Sequence, residues 1–290
     1  MSFRVDLLSI YYVIRSTLKR VKHSEMCITR RDVIIWAMVI LFLNNLATIF
    51  NQIEFKFLGE LTSISIFQCM AWYAIFYLLG SSDKTSIIQF RDVFFMVGLC
   101  LLVLVPTSRM IWVAAAGIAI YILITGGGAP KIRAAGVVLA ALAIQEFWGH
   151  VLFNLVAFPL LRAETAVVGA MLEATRPGTV WQDNIIAGPG GFGLVIHTTC
   201  SSYHNVSLAL LCWITVSKLS NPNGRSRDLV TGGVVVATMI ILNIVRLYLV
   251  EHDINLYHYW HEGVGADIFA IVASLAIFSI SLYGSRWQGR

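Results

Sequence analysis

Three residues with chemically useful side chains lie at the ends of successive apolar segments in the C-terminal third of the chain. They are Cys200, Arg246 and His261. A cysteine at the start of a helix is favoured as a thiolate by the helix dipole, and a neighbouring arginine adds to this effect. Histidine transfers protons near neutral pH, and arginine donates hydrogen bonds to a developing oxyanion. If the fold brings them together, these residue types predict nucleophilic cysteine chemistry.

The composition indicates the kind of fold that must position these residues. Hydrophobic residues make up 58% of the 290 positions and charged residues only 13%. A soluble domain of this length has no core large enough to bury so much apolar surface. We therefore expect an all-α, polytopic membrane protein. Its spans should approach the roughly 20 apolar residues that a bilayer core requires. Eight spans are predicted, the third and fourth of them short: Val33–Phe50, Leu61–Leu79, Val93–Pro106, Met110–Thr125, Ala134–Leu161, Val195–Val216, Leu229–Val250 and Val264–Tyr283.

The distribution of basic residues predicts the orientation of these spans. With a cytoplasmic N-terminus, most of the 21 lysines and arginines lie in cytoplasmic segments, whereas the outer segments carry only Lys56, Arg109, Arg162 and Arg176. This bias places both termini in the cytoplasm and Cys200, Arg246 and His261 at the outer face. It also accounts for the basic isoelectric point without nucleic-acid binding.

This predicted topology divides the chain into two regions. Residues 1–31 form a basic cytoplasmic tail whose apolar patch is expected to lie on the lipid surface. Residues 32–290 form a single transmembrane domain. Within it, an arginine such as Arg246 costs about 2.5–3.5 kcal/mol near mid-span, so it needs a partner or a role. Snorkelling of its long side chain to the outer surface is the alternative.

Three short motifs occur in order along the last spans. They are Thr-Cys-Ser-Ser-Tyr-His at 199–204, Asn-Ile-Val-Arg at 243–246 and His-Glu-Gly-Val-Gly at 261–265. In order, spacing and sidedness the set resembles the exosortase and archaeosortase family of integral membrane cysteine enzymes. That family carries an Ala-Cys-Ser-Gly-Leu-Arg type motif, an Asn-x-x-Arg and a His-x-x-x-Gly. Here Ser202 replaces the glycine and His204 stands where the family has arginine. The resemblance covers about residues 182–269.

The resemblance implies a membrane-embedded cysteine protease or transpeptidase that cleaves C-terminal sorting signals of exported proteins. Such a signal is a short motif, a transmembrane helix and a basic tail, cut on the outer face of a bacterial inner membrane or archaeal plasma membrane. The resemblance implies that Cys200 is the nucleophile, Arg246 the oxyanion donor and His261 the proton donor. Residues expected to support them or the substrate are Ser201, Tyr203, His204 and Asn243. The expected partners are membrane-anchored protein substrates and membrane lipids, with no cofactor and no metal.

Two other kinds of function remain open from the residues themselves. His197, Cys200 and His204 fall at i, i+3 and i+7 on one helical face of the sixth span. A zinc or copper site could be completed from the facing outer loop by His252, Asp253, His258 and His261. Glu146 and His150 lie one turn apart inside the fifth span. Ionisable groups at such positions mark proton-coupled transport or an internally paired helix contact.

Overall fold

A computed structural model describes residues 29–52, 66–82, 90–103, 107–126, 129–189, 193–197, 200–224 and 226–287. Helices account for about 85% of the structure. They are α1 (Arg30–Gln52), α2 (Ile66–Gly80), α3 (Phe90–Val103), α4 (Ser108–Thr125), α5 (Pro130–Ala143), α6 (Gly149–Thr175), α7 (Ser202–Ser220), α8 (Ser226–His252), α9 (Ile254–Tyr257) and α10 (Val264–Trp287). Three short strands, β1 (Val180–Gln182), β2 (Ile185–Ala187) and β3 (Gly193–Val195), lie between α6 and α7.

Some sequence predictions fall outside the described residues. Most of the N-terminal tail does so, as do the first residues of the second predicted span, 61–65, and the last of the third, 104–106. The described parts of these two spans are helical.

The fifth predicted span is part of a longer helical segment. One π-helical turn, Ile144–Trp148, joins α5 to α6, so the segment runs from Pro130 to Thr175. At 1.5 Å per residue, it continues about 21 Å beyond Leu161, where the prediction ended the span. That boundary is wrong because the residues after Leu161 are less apolar but include many good helix formers, such as alanine, leucine and glutamate.

Polar contacts join several helix ends at one end of the molecule, which we call the basic end. The Arg30 Nη2 atom lies 3.0 Å from Asp92 Oδ2 in a buried ion pair, and Arg30 Nη1 donates to the Thr125 carbonyl. Lys131 donates to the Ser81 carbonyl. These residues lie at the starts of α1, α3 and α5 and at or just after the ends of α2 and α4. Consecutive helices from α1 to α5 therefore alternate in direction.

The outer surface of the helices is apolar. The main core is formed by α1–α5 and α7, with side chains of α8 and α10 completing it. Outside this core, Ile124 and Leu155 are each 77% exposed and Phe94 is 75% exposed. Extensive apolar surface of this kind suits contact with lipid. Four helical segments are long and apolar enough to cross a membrane: Arg30–Thr48, Val151–Thr175, Leu229–His252 and Val264–Arg286. The chain is therefore a helical membrane protein.

A three-stranded antiparallel sheet in the order β1–β2–β3 packs on the C-terminal part of α6. Trp181 covers Gly169, where an added Cβ would come within 2.5 Å of the indole ring. Arg162 Nε lies 3.3 Å from Asp183 Oδ1, in the two-residue loop between β1 and β2. Asp183 has a φ of 55°, which aspartate tolerates better than most residues. The sheet lies in a region that hydropathy treated only as a connection.

The sixth predicted span begins too early. Val195 ends β3, and the helix of that span, α7, begins at Ser202. The residue after Val195, Ile196, donates its N–H to the Asn184 carbonyl at 2.8 Å and so extends the pairing of β2 with β3. A short run of apolar and β-branched residues is compatible with either a strand or a buried helix, and its periodicity alone does not distinguish them.

Candidate active site

Cys200 lies in a single helical turn just before α7. Its N–H donates to the His197 carbonyl at 2.9 Å. Ser201 follows as the N-cap of α7, and its hydroxyl accepts from the Tyr203 N–H at 3.4 Å. The half-buried Cys200 side chain packs against a small apolar cluster that includes Leu247. The thiol thus lies at the positive end of a helix, as the sequence predicted.

A fully buried amide on α8 holds this turn in place. Asn243 Nδ2 donates to the Cys200 carbonyl at 3.1 Å and to Ser202 Oγ at 3.2 Å. Its Oδ1 accepts from Asn205 Nδ2 at 3.1 Å. Asn243 is one helical turn from Arg246, so the two project from the same face of α8. The predicted supporting role of Asn243 thus has a specific geometry, which fixes the cysteine turn to the helix that carries the arginine.

A buried acid that sequence reasoning missed also contacts this turn. Glu164 on α6 is only 5% exposed, and its Oε1 accepts from the Ser202 N–H at 3.0 Å. A carboxylate at this position satisfies a backbone donor at the start of α7 that has no partner within the helix. Nothing in the spacing of the sequence links Glu164 to Ser202. The one available signal was a lone acid among alanines in a segment assigned to a loop.

His261 faces the cysteine from the turn before α10. The distance between Cys200 Sγ and His261 Nε2 is 3.8 Å. The imidazole stacks on Tyr257, with ring centroids 4.8 Å apart and an interplanar angle of 13°. His261 Nδ1 is buried and has no hydrogen-bond partner among the described residues. Among the described residues, the stacked Tyr257 ring therefore orients the His261 imidazole, a task that an acidic side chain often performs for a catalytic histidine.

Two glycines explain the form of the histidine motif. His261 lies in a π-helical turn, His258–Glu262, and only Gly263 separates this turn from the start of α10. An added Cβ at Gly263 would lie 2.9 Å from the His258 carbonyl oxygen, and one at Gly265 would lie 2.7 Å from that of Tyr259. Both contacts involve backbone atoms and so cannot be relieved by moving a side chain. The tight turn therefore requires glycine at both positions.

Arg246 completes the group. Its guanidinium carbon lies 5.1 Å from the centroid of the Phe269 ring on α10, a cation–π contact. Arg246 lies one turn beyond Asn243, whose amide binds the Cys200 carbonyl, so its positive charge is near the cysteine turn. The Nε atom is buried and has no hydrogen-bond partner among the described residues. The arginine thus combines a positive charge near the thiol with a donor that a reacting group could use.

The other predicted supporting residues act through helix packing. The Tyr203 ring stacks on Phe153, with centroids 4.2 Å apart, and its hydroxyl donates to the Gly149 carbonyl. Ser201 is fully buried as a cap. His204 lies in α7, but its side chain is outside the part of the chain that the structure describes. Tyr203 and Ser201 are therefore positioning residues.

The metal and transport alternatives gain no support from the geometry. Cys200 precedes α7, so it does not share a continuous helical face with His197 and His204. Within the described residues, no three histidine, cysteine, aspartate or glutamate side chains are grouped as a metal ion would require. Asp253, between α8 and α9, caps α9, and the N–H groups of Leu256 and Asn255 hold its pKa below the usual value.

The acid inside the fifth predicted span has a partner within the protein. Glu146 lies in the π-helical turn between α5 and α6 and accepts a hydrogen bond from the Gln68 amide on α2. His150, one turn away, has its side chain outside the described part of the chain. The contact between Gln68 and Glu146 fits the internally paired helix contact that the sequence left open.

The chain matches no family model, no curated protein and no solved structure. Its function is therefore inferred from the geometry of the site.

Replacing Asn243 with alanine should disorganise the cysteine turn. The change leaves the Cys200 carbonyl and the Ser202 hydroxyl without their amide donor, and a buried polar group without a partner costs about 1–3 kcal/mol. We expect a lower unfolding temperature in detergent and an altered rate of Cys200 alkylation. Asn205→Ala is the matched control, because it removes only the contact to Asn243 Oδ1 and should leave the alkylation rate near that of the wild type. An unchanged rate in Asn243→Ala would show that the amide does not position the cysteine.

Proposed function

We propose that this protein is a membrane-embedded cysteine peptidase or transpeptidase that cleaves C-terminal sorting signals of exported proteins. The observation that carries this proposal is the 3.8 Å separation between Cys200 Sγ and His261 Nε2, with Arg246 one turn beyond the Asn243 that binds the Cys200 carbonyl. A nucleophile, a base and an oxyanion donor are the groups that acyl transfer through cysteine requires.

The first half of the reaction forms a thioester. His261 Nε2 takes the thiol proton, and the Cys200 thiolate attacks the carbonyl carbon of the scissile peptide bond. Arg246 stabilises the negative oxygen of the tetrahedral intermediate, and an electrostatic donor of this kind is typically worth about 2.7–4 kcal/mol of barrier. His261 then returns the proton to the leaving amine as the C–N bond breaks.

The second half releases the exported protein. Water or an amine or hydroxyl acceptor attacks the thioester carbonyl, and His261 takes the proton of the attacking group. The C–S bond then breaks and the thiol regains its proton. The products are a free carboxylate if water attacks and a new amide or ester if an acceptor does.

The spacing between Cys200 Sγ and His261 Nε2, slightly longer than an ideal hydrogen bond, is usual for a catalytic pair without substrate.

The resemblance to exosortases and archaeosortases supports both the roles and the substrate class. The three motifs quoted above contain the three residues of the site, and Asn243 of the Asn-x-x-Arg motif contacts the Cys200 carbonyl. The glycines after His261 permit its turn. The substrate that fits is a membrane-anchored protein whose signal ends in a transmembrane helix and a basic tail.

We further propose that the chain crosses the membrane eight times, with both termini in the cytoplasm. Hydrogen bonds of Arg30 and Lys131 bring helix ends together at the basic end, which the charge bias assigns to the cytoplasm. Cys200 precedes α7, Arg246 is near the end of α8 and His261 precedes α10. In an alternating bundle these three positions share the opposite face, where an exported substrate would be cut.

Reporter fusions test this topology. A reporter placed after Ser220, at the end of α7, should indicate the cytoplasm, and one placed after His252, at the end of α8, should indicate the outside. Alkaline phosphatase and green fluorescent protein provide complementary signals. Readings from the same side at both positions would contradict the proposed crossing by α8.

Among the cysteines, Cys200 alone should be required for cleavage. We expect Cys200→Ala to abolish processing of a membrane-anchored reporter that carries a candidate sorting signal. The matched control is Cys212→Ala in α7, the helix that follows Cys200, because Cys212 is fully buried in the main core; this variant should keep processing near the wild-type rate. An impermeant alkylating reagent should also label Cys200 first. Processing retained in Cys200→Ala would refute nucleophilic catalysis.

A positive charge without the planar guanidinium should not substitute for Arg246. Arg246→Lys keeps the positive charge but loses the planar set of donors, so processing should fall about 10²-fold, the usual cost of one lost oxyanion donor. Processing by the His261→Ala variant should also fall at least about 10²-fold, because the leaving amine loses its proton donor. His258→Ala, one turn earlier, is the control and should remain active. An inactive His258 variant beside an active His261 variant would show that the catalytic histidine is misassigned.

A further inference from the structure

The strand that leads to the cysteine has a free edge whose direction follows from the register. The Ile196 N–H donates to the Asn184 carbonyl at 2.8 Å, so these two residues form a hydrogen-bonded pair. Hydrogen-bonded and non-hydrogen-bonded pairs alternate along an antiparallel ladder. Val195, paired with Ile185, and Gly193, paired with Ala187, are therefore non-hydrogen-bonded positions. Their N–H and C=O groups face away from β2.

This edge is accessible. β3 is the last strand in the order β1–β2–β3, and Val195 is 44% exposed. The main-chain groups of Val195 have no hydrogen-bond partner among the described residues. A free strand edge is a template for an extended chain, which supplies the missing hydrogen bonds.

The edge is also continuous with the candidate active site. Cys200 is five residues beyond Val195, and a chain reaches at most about 3.3–3.6 Å per residue, so the two Cα atoms are no more than about 18 Å apart. Ile196 and Cys200 border the same small apolar cluster. A segment of about five or six residues paired with β3 is therefore long enough to extend to the thiol.

The chemistry of cleavage favours an extended occupant. In a helix the scissile carbonyl is hydrogen-bonded within the segment and surrounded by side chains, whereas an extended chain exposes it to attack. The segment before the transmembrane helix of a sorting signal must take up such a form to be cut. Pairing with β3 would hold it by its main chain, and side chains at every second position would face the same side of the sheet.

We propose that the extended segment of the protein substrate adds to the sheet as a fourth strand beside β3. Its main chain bonds to Gly193 and Val195, and its scissile carbonyl lies at Cys200 Sγ. This binding mode rests on the proposed peptidase function and specifies how that site takes its substrate. It assigns part of the affinity to backbone contacts, which do not depend on the sequence of the signal.

A proline at the edge tests the binding mode. Val195→Pro removes the outward N–H without touching the inward pairing of Leu194 or Ile196, and Val195→Ala is the matched control that keeps the N–H. For a membrane-anchored reporter carrying the signal, we expect kcat/KM to fall about tenfold in the proline variant, the usual effect of about one lost hydrogen bond. The alanine variant should remain near wild type. Cys200 alkylation at the wild-type rate in both variants would show that the site is intact.

A second measurement does not depend on the folding of any variant. A synthetic peptide comprising the signal motif and its transmembrane helix, in detergent micelles, is N-methylated at one amide at a time. Strand pairing predicts that cleavage falls at every second amide on one side of the scissile bond. A flat pattern, together with full activity of Val195→Pro, would overturn the strand addition, while inactivity of Cys200→Ala would leave the peptidase function standing. Full activity of Cys200→Ala would overturn both.

Discussion

The geometry of the candidate site depends on one buried amide, that of Asn243. Its two N–H groups and its oxygen connect α8 to the Cys200 carbonyl, to the Ser202 hydroxyl and to Asn205. A buried amide is stabilising when its polar groups have partners, and the contacts to the Cys200 carbonyl and the Ser202 hydroxyl are the ones that hold the cysteine turn. Because Arg246 lies one turn further along α8, the same amide also sets where the arginine stands relative to the thiol.

The last helix, α10, influences the positions of both His261 and Arg246. α10 begins just after the turn that carries His261, and its Phe269 ring lies under the guanidinium of Arg246. A displacement of α10 would therefore move His261 and the aromatic ring that supports Arg246 together. The glycine-dependent turn before α10 limits such displacement, because its backbone contacts leave no room for larger residues. The histidine and the arginine are thus coupled through a single rigid element.

Hydropathy was sufficient to predict the all-α fold, though not every helix boundary, and the order of the apolar runs predicted that Cys200 and His261 would lie close together. The apolar runs of α8 and α10 are long, and helices that alternate in direction bring the end of α8 and the start of α10 to one face. The sheet and Glu164 were not predictable in this way. Each depends on pairing between segments that no local pattern connects: β2 pairs with β3 through backbone groups common to all residues, and Glu164 contacts a backbone N–H distant in the chain. The missed start of α7 has the same cause.

The order in which the chain is synthesised affects when the thiol becomes reactive. Cys200 and His261 are 61 residues apart. At roughly 5–20 residues per second, the histidine is added about 3–12 s after the cysteine. During this interval the ribosome-bound chain contains Cys200 without His261, and Phe269 comes later still. Under the proposed mechanism, Cys200 therefore has no proton carrier until α10 packs, so the thiol becomes reactive toward a substrate only after that helix has been added.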